Sequence, residues 1–159
     1  MLFVNKHRGF TMIELVFVIV VLGILAAVAI PRLAVTRDDA EIAKGRSDVS
    51  SIRAAIVSER QGRLLQGSST YINQLDDAAQ GVENEALFDN NGTVANTLLQ
   101  YGITSANRNG HWMKTGANTY TYQVMGQKVT FTYTQANGIF TCNRAAAAPE
   151  GGYCQDLID

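Results

Sequence analysis

A single carboxylate, Glu14, stands at the front of an apolar run: from 15 to 30 the chain holds no charged or strongly polar residue. On insertion scales a lone acid costs about 2.5–3.5 kcal/mol at the bilayer centre and less near the interface, so an acid kept there is a candidate for use. The chemistry open to it is charge pairing, because opposite charges in a low dielectric stabilise each other when neither reaches water. Near the other end are the two cysteines, Cys142 and Cys154. They lack the four-ligand pattern of a structural zinc site, and there is no C-x-x-C. On an exported domain they would form a disulfide; in a reducing compartment they would be two unrelated thiols.

Other residues offer weaker chemistry. Asp89-Asn90-Asn91-Gly92 supplies oxygen ligands of the kind calcium takes, but the spacing is not that of an EF-hand loop, and an Asn-Gly turn leading into a helix is the simpler reading. Asp89-x-Asn91-x-Thr93 resembles the extended acceptor pattern of bacterial N-glycosylation, whose use depends on the host. The paired acids Asp38-Asp39 and Asp76-Asp77 would point about 100° apart on a helix, so they form no dyad and read as solvated surface. No G-x-S-x-G, P-loop, H-E-x-x-H or G-x-G-x-x-G occurs, and His111 is the one histidine beyond the leader. The expectation is a chain that is not an enzyme and that carries no cofactor or metal.

Glu14 must be positioned by the apolar segment. Residues 10–30 span about 31 Å as a helix, close to the thickness of a bilayer core. The basic leader (Lys6, His7, Arg8) favours a cytoplasmic N-terminus, against which Arg32 and Arg37 flank the far end. An ordinary secretory signal peptide is the rival: a basic n-region, an apolar core over 15–26, and an A-x-A site at Ala27-Val28-Ala29. It leaves Glu14 and the Gly9-Phe10 junction without a role. Pro31 cannot donate a helical hydrogen bond, and with Gly23 it marks a bend.

The stretch Arg8-Gly9-Phe10-Thr11-Met12-Ile13-Glu14, with its apolar run and Pro31, resembles the N-terminus of type IV pilins and type II secretion pseudopilins. The resemblance covers 8–31. It implies cleavage between Gly9 and Phe10 by a prepilin peptidase, N-methylation of Phe10, and pairing of Glu14 with the N-terminal amine of a neighbouring subunit. It further implies that 23–31 loosens on packing in a filament. The partners implied are a homo-oligomeric filament with related minor pilins, the peptidase and an inner-membrane assembly platform. The location implied is the bacterial inner membrane, N-terminus cytoplasmic, with a periplasmic or extracellular head. Secretion, pilus and DNA-uptake filaments share this N-terminus, and a low-abundance tip subunit that recognises DNA, a surface or cargo is the alternative role.

Charge argues against direct nucleic-acid binding. Without Lys6 and Arg8, 11 of the 13 basic side chains face 14 acids, a formal −3. The bases past Pro31 cluster at 32–63, and those beyond are Arg108, Lys114, Lys128 and Arg144.

The expected fold is α+β. After a leader (1–9) and the membrane-spanning helix (10–30), an amphipathic helix continues over 31–63. Its stripe of Val35, Ile42, Val49 and Ile56, with Ile52 beside them, should pack on the chain's own sheet. Gly45 weakens that helix by about 1 kcal/mol, and Gln61-Gly62 and Gln66-Gly67 mark its end. Residues 64–110 form a variable connector with two short helices expected at 71–77 and 93–101. Residues 111–159 switch to period two: a first strand at 111–114, then strands around Tyr120 to Val124, Val129 to Tyr133 and Ile139 to Cys142. Three or four antiparallel strands result, with a solvated Thr-rich outer face. The tail has little to bury, and its loop resembles the disulfide-closed C-terminal loop of many pilins.

Overall fold

The computed structural model describes residues 9–90, 94 and 97–159, with the side chains of 31–36 outside that description. The fold is α+β. The first element, α1 (Met12–Leu65), is a 54-residue helix, and the chain divides within it into a unit ending at Arg37 and a unit Asp38–Asp159.

In the first unit the side chains of 10–30 are all exposed in the single chain. Met12–Ile30 is long and apolar enough to cross a membrane, and a helix satisfies its own backbone groups there. A Cβ added at Gly23 would meet nothing within 4 Å. The bend expected around Pro31 falls on residues whose side chains lie outside the description.

In the second unit α1 ends in a Schellman motif. Gly67, at φ +83°, follows the last turn; its N–H donates to Leu64 O (3.0 Å), and that of Ser68 donates to Arg63 O (2.9 Å). Gly67 is thus the stop signal, and Gly62 lies inside the helix. Strands β1 (Ala86–Leu87) and β2 (Ile103–Thr104) pair in a small ladder. The main sheet is antiparallel, in the order β3 (Trp112–Gly116), β4 (Thr119–Val124), β5 (Gln127–Thr134) and β6 (Ile139–Cys142). Period two sends one residue in two to one face. Tyr122 pairs with Trp112 and Val129, and Phe131 with Tyr120 and Cys142. These residues are buried with Val49, Ile52 and Ile56 of α1, and Ile42 packs at the margin. Trp112 and Phe131 meet edge to face at 5.1 Å.

Gly45 has a specific place in this contact. A Cβ there would lie 2.5 Å from both Tyr122 Cε1 and Leu157 Cδ2, so its absence lets helix and sheet close up. The Thr-rich face is open at Thr130, Thr132 and Thr134, while Thr121 is buried.

Four expectations are corrected. Residues 71–77 are not helical, because their groups are tied to the sheet: Ile72 and Leu75 are core residues, Ile72 O accepts from Tyr133 Oη (2.8 Å), and Asn73 O accepts from Asn118 Nδ2 (3.0 Å). The described residues of 93–101 carry no helix either. Asp76 is not a surface acid. It is fully buried, its Oδ1 meets Lys114 Nζ at 2.7 Å, and the N–H groups of Ala78 and Phe88 donate to it; Asp77 is exposed. The tail, finally, contains a helix, α2 (Glu150–Ile158), with Cys154 and Leu157 in the core. β6 pairs only with 131–134 of β5, and beyond it Glu150 Oε1 accepts from the Thr130 N–H (3.0 Å), so α2 covers a strand edge that would otherwise be open. The first strand runs two residues further than expected, past a bulge between Lys114 and Gly116.

Candidate functional site

Glu14 closes the N-terminus of α1 on itself. Thr11 N–H and Thr11 Oγ1 both donate to Glu14 Oε2, at 2.8 and 2.7 Å, and Glu14 N–H donates back to Thr11 Oγ1 at 3.3 Å. This is the reciprocal arrangement of a capping box, in which N-cap and N3 residues satisfy each other's free backbone donors. Thr11 therefore belongs to the site. T-x-x-E before an apolar run is the sequence signature of such a cap, and Thr11 was not among the residues expected to act. All three contacts use Oε2 or the backbone, and Oε1 has no partner among the described residues.

Phe10, Ile13, Glu14, Phe17 and Val18 line one shallow groove of 330 Å³. Their i, i+3, i+4, i+7, i+8 spacing puts them on one face, so the carboxylate lies within an apolar stripe. Gly9 and Phe10 precede the cap, exposed. The leader residues Lys6, His7 and Arg8 lie outside the described residues.

The other candidate residues do not gather into a site. Cys142 and Cys154 are joined by a disulfide that ties β6 to α2. Asn90 is buried and donates to Asp77 Oδ1 (2.9 Å) and Asp89 Oδ1 (3.0 Å), so this acidic turn is held by its own amide; burial raises the Asp89 carboxyl. No group of three or more His, Cys, Asp or Glu among the described residues is placed to hold a metal ion. Asn91, Gly92 and Thr93, the turn and glycosylation candidates, lie outside the described residues. Arg108 Nη2 can only donate, so His111 accepts at Nε2 (3.3 Å) and donates from Nδ1 to Asn109 O (3.0 Å).

The basic residues of α1 grip the head. Lys44 Nζ donates to Gly110 O, Arg46 Nη2 to Asp156 O (2.6 Å), and Arg53 Nε to Phe140 O (2.9 Å). Arg63 pairs with Glu59 at 3.3 Å, and Lys114 is buried against Asp76.

The model of the prokaryotic N-terminal methylation motif matches residues 4–30. The chain is similar to the type IV major alpha-pilin of Moraxella bovis, 32% identical over 59% of this chain and 70% of that one. It is similar also to fimbrial protein Q of M. bovis, 29% identical over 91% of each chain. The type II secretion system core protein G of Pseudomonas aeruginosa is 42% identical over 33% of this chain, and the match spans only 37% of that protein's length. No solved structure matches. The apolar N-terminal helix, the antiparallel sheet packed on its continuation and these relatives agree: the chain belongs to the type IV pilin family.

Proposed function

We propose that the chain is a pilus subunit, held in the bacterial inner membrane by 10–30 with its head exported, cut between Gly9 and Phe10, and polymerised through that helix after N-methylation of Phe10. Gly9 suits the cut because a small residue lets a peptidase approach the backbone. The observation that carries the reading is Glu14: Oε2 closes the helix cap, Oε1 has no partner among the described residues, and the residue lines an apolar groove. A neighbouring subunit's Phe10 amine supplies the opposite charge that such a carboxylate needs in low dielectric. The exposed apolar side chains of Met12–Ile30 find cover in a bundle of like helices. The pilus is favoured over a secretion filament because the similarity to fimbrial protein Q runs over 91% of the chain, whereas that to the secretion protein stops at a third. Nucleic acid has little to bind, since Lys44, Arg46, Arg53 and Lys114 are engaged within the head.

N-terminal sequencing of the protein from membranes tests the processing step. Phe10 as the first residue is expected, and Gly9→Phe should leave the precursor uncut. A mature chain beginning at Ile30 would mean signal-peptidase release and would overturn the reading.

A further inference from the structure

At the C-terminal end of α1 one cation has no counter-charge. Arg60 makes no hydrogen bond or ion pair with the described residues, and its Nη1 is closed off from solvent without an acceptor. A guanidinium carries five N–H donors, and buried donors are normally met. Its guanidinium lies over the ring of Tyr71, 4.4 Å from the centroid. That ring is seated against Gly138, where a Cβ would overlap it. Arg60 and Tyr71 line a cavity of 380 Å³ with Ser69, Thr70, Gln135 and Ala136. No carboxylate lines it, although the chain carries more acids than bases.

We propose that this cavity binds a carboxylated sugar or a small hydroxy acid of similar size. The charge calls for an anion, and a guanidinium donor makes a charge-assisted hydrogen bond with a carboxylate. The volume exceeds what a bare carboxylate fills and lies in the range of small-ligand sites. The remaining lining offers the hydroxyls of Ser69 and Thr70 and the amide of Gln135, partners for ligand hydroxyls. The site is built from the last turns of α1, the loop after it and the β5–β6 turn, and does not involve the N-terminal helix face.

The test is a titration of the full chain in detergent micelles, followed by ¹⁵N–¹H spectra. Sodium glucuronate is the probe, with glucose, sodium acetate and sodium chloride at matched ionic strength. Saturable shifts at Arg60, Tyr71 and Gln135 with glucuronate alone are expected. Arg60→Gln should weaken the binding ~10-fold or more, the usual effect of removing a charge-assisted contact. Gln135→Glu, in an exposed turn, should do the same by placing a competing carboxylate beside Arg60. Shifts no different from those in sodium chloride overturn the proposal, as does wild-type affinity in either variant. Acetate binding as tightly as glucuronate overturns the sugar assignment.

Discussion

Gly45 lies inside a long helix, where glycine costs about 1 kcal/mol relative to alanine. That makes Gly45→Ala look stabilising, and the packing reverses the sign. The new methyl would stand 2.5 Å from Tyr122 Cε1, and the ring is held by its hydroxyl, which donates to Glu41 O at 2.6 Å. Overpacking of this kind costs about 1–3 kcal/mol, more than the helix gains, so Gly45→Ala should lower the urea midpoint of the head. Asp48 gives a pH test. Burial raises its carboxyl above the ordinary range, despite the hydrogen bond from Trp112 Nε1 (3.0 Å) and the nearby charge of Lys44. The folded chain therefore holds this proton more tightly than the unfolded chain. Its contribution favours the fold in acid and is lost as pH rises from about 3.9 through the raised value. Asn keeps an acceptor for Trp112, so Asp48→Asn should gain stability relative to wild type between pH 3 and pH 7. A difference independent of pH would contradict the assignment. Neither role was legible in the sequence. Gly45 read as a flaw in the helix because what it approaches lies 77 and 112 positions away. Asp76 read as surface because its partner, Lys114, arrives from β3.

The elements that were legible are those whose pattern repeats. Seven-residue recurrence of Ile42, Val49 and Ile56 gave the face of α1, and alternation through Tyr120, Tyr122 and Val124 gave the inward face of β4. Segments held by tertiary contacts were not. In 71–77 the backbone carbonyls are used by Tyr133 and Asn118, which no local propensity records. α2 was masked by the alanines, Pro149 and Gly151-Gly152 before and within it, although Cys154, Leu157 and Ile158 at i, i+3, i+4 give it an apolar face. The disulfide helps to pin this short helix. Its loop separates the cysteines by 12 residues, and closing such a loop contributes roughly 3 kcal/mol in the chain-entropy model. Replacing both Cys142 and Cys154 by Ala should cost about that much in chemical unfolding, and the unreduced protein should take up no alkylating agent when denatured. Full alkylation without reductant would contradict the bond.

At the scale of the whole molecule, two compact units share one helix and do separate work. The head completes its core alone, with Lys44, Arg46 and Arg53 fastening α1 to it. Among the described residues the N-terminal unit leaves its apolar surface and one carboxylate oxygen unmet, and it is there that assembly is expected. The motif that marks this end was plain in the sequence, and so was the T-x-x-E signature of the cap between Thr11 and Glu14, which decides which substitution is informative. Glu14→Ala would remove both cap and charge. Glu14→Gln keeps a capping-box acceptor and removes the charge alone. The most direct measurement is the yield of sheared filaments from cells expressing Glu14→Gln, set against the level of cleaved protein in their membranes. Normal membrane level and cleavage with few filaments, and incorporation when wild-type subunits are co-expressed, is the result predicted for pairing of Glu14 with a neighbour's amine. Filaments of Glu14→Gln alone at wild-type yield would contradict it.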